Sequence, residues 1–204
     1  MSSSATYLDP VVIPLIKGET VLDVGCGWGR WGSLLSTNYW EANLKKAPII
    51  DGIDVFSENV ERCKKLFYYN NVEQKQIPCK LNQKWDTILA CEIIEHIPQK
   101  KVFETIELLE NSAKKRIIFS TPNWPYIRDQ GGSNNPYEAH LSYIPKEEFI
   151  KRGYKILGAG FGNPDSRIVM KLLKYFGPKL KQNLQSLSRI FTSWGIAIVA
   201  YKDI

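Results

Sequence analysis

The chain has 204 residues, 44% of them hydrophobic and 24% charged, which are globular proportions and exclude a disordered, collagen-like or fibrous protein. One domain is expected at this length, and no apolar run reaches the ~18 residues that a membrane span needs. With 27 Lys and Arg against 21 Asp and Glu, the net charge is +6. That charge admits an anionic partner such as RNA or a lipid surface without demanding one, and a solvated basic surface is the simpler reading.

Residues 1–10 are polar and lack the basic-then-apolar pattern of a signal peptide, so a soluble cytoplasmic protein without stable membrane insertion is expected. Thr20–Val24 is β-branched and apolar and stops at glycines, which predicts a strand. A helix follows over 31–40, then a strand over 49–55 (IIDGIDV). Ser57 is placed to cap a helix over 57–69, with Val60, Cys63 and Phe67 on one face. A weak strand over 72–77 precedes a strong one at Trp85–Cys91. A helix over 101–112 turns Val102, Ile106, Leu108 and Leu109 inward, and RIIFS at 116–120 is another buried strand.

Residues 123–145 fit no period and are rich in Gly, Pro, Asn and aromatics, which predicts a long functional loop or lid. A short helix over 146–152 and a strand over 154–160 come next. Residues 166–191 are amphipathic and interrupted by Pro178; within 165–192, basic residues from Arg167 to Arg189 alternate with apolar ones. A basic amphipathic stretch of this kind docks on its own sheet, a membrane, RNA or a second subunit. A strand over 194–201 closes the chain. The alternation of strands and helices predicts one α/β domain over residues 1–204, with a parallel sheet covered on both faces.

The four cysteines, Cys26, Cys63, Cys79 and Cys91, form no C-x-x-C pair. Neither a disulfide framework nor a cysteine zinc site is expected, and packed reduced thiols are. Chemistry concentrates elsewhere. In VLDVGCGWG, residues 21–29, a strand runs into Gly25, Gly27 and Gly29 and a helix follows. Glycines there let the backbone approach a ligand, and the helix start presents free N–H groups. Gly27, Gly29 and Gly32 also satisfy the dinucleotide pattern G-x-G-x-x-G, but Asp23 and the earlier pair Gly25 and Gly27 fit it poorly.

Asp23-x-Gly25-x-Gly27-x-Gly29 resembles the first motif of the class I S-adenosylmethionine (SAM)-dependent methyltransferases. Asp54, ending the second strand, resembles their ribose-binding acid, whereas Asp51 points off the other side of that strand. Residues 92–98, EIIEHIP, are similar to their E-x-x-E-H-[IV]-P turn after the fourth strand, and STPN at 120–123 to the end of their fifth. The resemblance covers residues 18 to about 160. It implies a three-layer α/β/α Rossmann-like sheet of seven strands in the order 3-2-1-4-5-7-6, mostly parallel, with the last strand antiparallel. It also implies that Asp23, Gly25, Cys26, Gly27, Gly29, Asp54 and Val55 hold SAM, with Cys91 flanking the methionine end, and that S-adenosylhomocysteine is the product. The third strand departs from the family: Glu73 to Cys79 carries no acid at the adenine position, leaving Gln76 or backbone groups for that contact.

The resemblance does not select an acceptor. A small molecule is the first expectation, with His140 or His96 as the base for a hydroxyl acceptor. Trp124, Tyr126, Tyr137 and Tyr143 either line its pocket, between the loop at 123–140 and the basic segment, or pack the loop itself. Glu92, Glu95 and His96, spaced i, i+3, i+4, share a face of any helical turn, and with His140 they form a candidate set for a divalent metal. Such a set resembles that of the small-RNA ribose 2′-O-methyltransferases, where a later histidine lies near a W-[ST]-x-x-E-F segment; here Tyr143 stands in place of that tryptophan. Metal-free members of the wider group share these residues too, so a metal is not expected. The rival readings are that RNA enzyme, a nicotinamide oxidoreductase, and a SAM-binding module without turnover.

Overall fold

The computed structural model describes residues 4–126 and 134–204, with residues 176–183 as backbone alone. Its centre is a sheet of β1 (Thr20–Val24), β2 (Ile49–Asp54), β3 (Asn71–Gln74), β4 (Trp85–Cys91), β5 (Ala113–Pro122), β6 (Lys155–Ala159) and β7 (Ala197–Asp203). The order is β3-β2-β1-β4-β5-β7-β6. All neighbours pair in parallel except β7, which runs antiparallel to both β5 and β6. Leu22 faces Ile88 across β1 and β4, Ile88 faces Ile117 across β4 and β5, and Ile118 faces Tyr201 across β5 and β7. These central strands are mostly apolar because both of their faces are covered.

Two apolar clusters do the covering. On one face Val102, Ile106 and Leu109 of α4 (Val102–Ser112) and Phe149 of α5 (Lys146–Lys151) pack on Ile88, Ile117 and Phe119. On the other, Leu8, Val12, Ile13 and Ile16 join Trp31 and Leu35 over Val21, Leu89 and Val199. The first four come from the segment around α1 (Asp9–Val12), and the next two from α2 (Arg30–Thr37). Each of the four is at most 2% exposed, so the N-terminal segment is part of the core. Fully burying a side chain of this size stabilises by about 1.5–3 kcal/mol.

Several boundaries differ from expectation. The helix expected over 31–40 ends at Thr37, and Tyr39–Ala42 is a separate 3₁₀ turn. The helix expected over 57–69 is α3 (Ser57–Lys64). Phe56 holds its cap position and Ser57 makes no capping bond. Beyond Lys64 the chain swings Leu66 and Tyr69 against Gly29 and Gly32, which leaves Phe67 fully exposed rather than on the apolar face. Trp194 lies in a 3₁₀ turn before β7. α6 (Arg167–Asn183) runs through Pro178 without a break; a proline forfeits one helical hydrogen bond, which the neighbouring turns of a long helix outweigh. Among the described residues, no helix is long and apolar enough to cross a membrane.

Candidate functional site

The site forms at the carboxyl ends of β1, β2 and β4, where an open parallel sheet leaves a crevice. β1 stops because Gly25, Gly27 and Gly29 all take positive φ, between 54° and 80°. The N–H groups of Gly25 and Cys26 donate to the Ile53 carbonyl at 2.7 and 3.0 Å, tying the turn to β2. A Cβ on Gly25 would stand 1.9 Å from Ile93 Cδ1, so a side chain there is strained by the positive φ and would also force Ile93 to shift. α2 then starts at Arg30, which pairs with Asp9 of the N-terminal segment.

Asp54 anchors this turn. Its Oδ2 accepts the Gly27 N–H at 2.9 Å and the Asn59 side-chain amide at 3.2 Å, and its Oδ1 accepts the Phe56 N–H at 2.8 Å. The Val55 N–H adds to these three, so the carboxylate is held from several sides. Burial raises its pKa, while these donors pull it back. Asp51 belongs to another network: it accepts the Trp85 indole N–H at 2.7 Å and the amides of Asn70 and Gln83 at 2.9 and 3.0 Å.

Asp23 lies beneath the turn, 1% exposed. Tyr69 donates its hydroxyl hydrogen to Asp23 Oδ2 at 2.7 Å and accepts the Gly32 N–H at 3.2 Å. Asp23 Oδ1 is a buried acceptor without a protein partner. Burial above all, with a contribution from Asp54, pushes its carboxyl up to about 7 against the Tyr69 hydrogen bond.

A cavity of about 400 Å³ opens above the turn, within the range of small-ligand sites. Gly25, Cys26, Gly27, Asp54, Val55 and Cys91 line it, as do Lys75, Gln76 and Ile77 near the end of β3. Asp23 and Gly29 stand behind this wall rather than in it. On the far side are Glu92, Glu95, His96, Trp124, Tyr126 and His140. Tyr143, expected there as well, is not part of the lining. The segment expected to form a lid contributes Asn135, Tyr137 and Glu138, while its residues 127–133 lie outside the described residues.

The far wall is built by clamping two loops together. Ile94–His96 is a 3₁₀ turn, and the Glu95 carbonyl accepts the N–H groups of Leu141 and Ser142 at 2.7 and 3.0 Å. His96 Nδ1 lies 3.0 Å from the Ala139 carbonyl and His140 Nδ1 2.9 Å from that of Tyr126. A carbonyl only accepts, so each Nδ1 carries the hydrogen and each Nε2 is the basic nitrogen. The two rings meet edge to face at 4.9 Å. Candidate ligand atoms of Glu95, His96 and His140 lie within 4.8 Å of one another.

Glu92 does not join that cluster, contrary to the single face expected for Glu92, Glu95 and His96. It takes a left-handed φ of 56°, which breaks the helical spacing, and accepts the Ser120 hydroxyl at 2.8 Å. Burial raises the pKa of Glu92 and pushes the Cys91 thiol well up.

Sequence reasoning missed Tyr69, Asn59 and Tyr7. Tyr69 acts through a contact 46 residues away in the chain, a relation no local pattern encodes, and Asn59 through one five residues away. Tyr7 lines the cavity from the N-terminal segment. Burial and the nearby Glu92 and Glu95 push its phenol well above its ordinary value, which keeps the hydroxyl protonated.

Seven strands in this order, with a glycine turn after β1 and an acid ending β2, define a Rossmann-like α/β protein whose ligand crevice lies at the carboxyl edge. The family model for a methyltransferase domain matches residues 7–155, and the chain belongs to that family. It is 33% identical over 121 residues to a ubiquinone biosynthesis O-methyltransferase of Coxiella burnetii, covering 53% of this chain and 45% of that protein. It is 28% identical over 163 residues to the chloroplastic magnesium protoporphyrin IX methyltransferase of Arabidopsis thaliana, covering 71% of this chain and 49% of that one. The chain thus spans about half the length of these curated relatives. Its fold is similar to that of the plantazolicin methyltransferase BpumL, solved with a monoazolic desmethylPZN analogue and S-adenosylhomocysteine. There the TM-score is 0.57 at 17% identity, over 97% of this chain and 82% of that one.

Proposed function

We propose that the chain is a SAM-dependent methyltransferase with a small-molecule hydroxyl acceptor, formed by one domain over residues 1–204 with a lid at 123–145 and an insertion at 165–192. The observation that carries it is the pairing of Asp54 with the Gly27 N–H at the mouth of the cavity, which fixes a ribose-binding acid and a glycine cradle in one unit. The residues fit the cofactor. Asp54 lines the cavity beside Gly25 and Gly27, and Asp23 Oδ1 is a buried acceptor beneath the turn, below a site for a cationic ligand. Cys26, Gly29 and Val55 shape the turn around it, Cys91 closes the methionine end, and Gln76 stands where adenine contacts are needed. A small-molecule acceptor is supported by the names of the two curated relatives, and oxygen as the accepting atom by the name of the first, a ubiquinone biosynthesis O-methyltransferase.

SAM supplies a methyl group already activated on a sulfonium, so the protein's main task is positioning. Trp124, Tyr126 and Tyr137 offer aromatic faces to a planar acceptor. A hydroxyl acceptor must lose its proton, and Nε2 of His140 or His96 is oriented to take it, since each ring is held through Nδ1. Calorimetric titration with S-adenosylhomocysteine, repeated with Mn²⁺ and with EDTA, tests this reading. Binding indifferent to metal supports it, and absence of binding in all conditions overturns it. Cofactor binding with no turnover across an acceptor screen would leave a SAM-binding module.

One observation favours a second reading. The Glu95, His96 and His140 cluster is compact enough to hold a divalent ion, which would serve a metal-dependent RNA ribose 2′-O-methyltransferase. A separate heat of Mn²⁺ binding that disappears in His140→Ala, with activity on RNA ends, would bring that reading forward.

A further inference from the structure

The positive charge of the chain is not distributed as its lysines are. Six basic residues and one acidic residue, Asp165, fall within 160–196, the connection between β6 and β7. The rest of the chain holds 21 basic and 20 acidic residues, so this connection accounts for five of the six net positive charges. α6 lies within it. Val169 is fully buried and anchors the helix, while Arg167, Lys171 and Lys174 are exposed. None of these three takes part in an ion pair among the described residues. At 100° per residue they share the outward face, opposite Val169.

Apolar side chains flank that basic face and stay in water. Ile168 is 58% exposed, Met170 47% and Tyr175 78%. Ile190 and Phe191, past the helix, are 75% and 48% exposed. A helix that serves only its own core turns such residues inward, as α4 does with Ile106 and Leu109. RNA would explain the lysines but not the isoleucines and methionine beside them. An anionic bilayer explains both: the cations meet the headgroups while neighbouring apolar side chains enter the interface.

We propose that the outward face of α6, with Ile190 and Phe191, docks the protein on an anionic lipid surface. β6 runs parallel to β5, so α6 leaves the sheet at the carboxyl edge, the edge that also carries the cavity.

The test is co-sedimentation of the full chain with vesicles of phosphatidylcholine alone or with one-third phosphatidylglycerol. Binding is expected only to the anionic vesicles, and is expected to fall steeply with added salt. Lys171→Gln with Lys174→Gln should weaken it at least tenfold, since each cation contributes about fivefold. Ile168→Ser with Tyr175→Ser should weaken it severalfold at constant charge. Both pairs lie outside the cavity, so unchanged circular dichroism and S-adenosylhomocysteine binding report that the variants are folded. Equal binding to neutral vesicles, none to anionic ones, or indifference to either double variant overturns the proposal. So does binding to single-stranded RNA that displaces the protein from vesicles and ignores Ile168 and Tyr175.

Discussion

Asp23 and Asp54 sit two strands' ends apart and face different demands. Asp54 is surrounded by donors, whereas Asp23 has one donor and an open oxygen in a dry place. Because burial holds Asp23 up to about 7, the folded protein keeps a proton there that the unfolded chain releases near 4. Stability from this group is therefore greatest below about pH 4 and is lost as pH rises to about 7, by at most about 1.4 kcal/mol per unit. Urea unfolding of the native protein and Asp23→Asn between pH 5 and 7 measures it; the variant should show a shallower fall, and parallel curves would refute the assignment. Asp54→Ala should weaken S-adenosylhomocysteine binding at least severalfold, because a hydrogen bond to a charged group contributes ~1.5–3 kcal/mol. It also releases the Gly27 N–H. Asp54→Asn, which retains an acceptor for the turn, should keep the native melting temperature while still losing affinity. Gly25→Ala should both destabilise the fold and abolish binding, since it adds a left-handed alanine to a clash with Ile93. Native affinity in that variant would show that the turn has room it should not have.

At the scale of elements, the strands were legible and the helix ends were not. VLDV, WDTILAC and RIIFS are mostly apolar because covered parallel strands need apolar side chains on both faces, with Asp23, Asp86, Thr87, Arg116 and Ser120 as the polar exceptions. Helix ends depend instead on what the next segment must reach. α3 stops at Lys64 because Tyr69 has to fill the space against Gly32 and Gly52 and donate to Asp23. Phe67 therefore leaves the helical face that its spacing promised. The Asp51 network is an element-scale device as well: it ties β2 to β4 across β1 through the Trp85 indole. Asp51→Ala leaves the buried Trp85 indole N–H without its acceptor and should cost about 1–3 kcal/mol in chemical denaturation, while Asn70 and Gln83 are exposed and can turn to water. S-adenosylhomocysteine affinity should hardly change, and a large loss would move Asp51 into the site.

For the whole molecule, ligand and stability are linked. A saturating cofactor analogue at 100 times its Kd should add about 2.7 kcal/mol, which for a chain this long is a rise in Tm of roughly 5–10 °C. A thermal shift with S-adenosylhomocysteine reads this directly, and an unshifted Tm would contradict the cofactor assignment. The cavity is shared among distant parts of the chain, from Tyr7 through the glycine turn to His140, so melting should be a single event.

The sequence by itself determined the strand cores, the topology through its family resemblance, and the two acids with their glycine turn. Those features are local: a covered strand is mostly apolar, and a turn of positive φ favours glycine. Tertiary structure alone decided which candidates meet. It brought His140 against His96, whose rings lie 4.9 Å apart from positions 44 residues apart, and it parted Glu92 from Glu95 through one left-handed residue. It folded the N-terminal segment into the core and placed Tyr7 in the cavity wall. It also left α6 with its basic face outward, since amphipathic spacing says that a helix has two faces but not what each one meets. These outcomes rest on contacts between segments far apart in sequence, which local propensity and spacing do not encode.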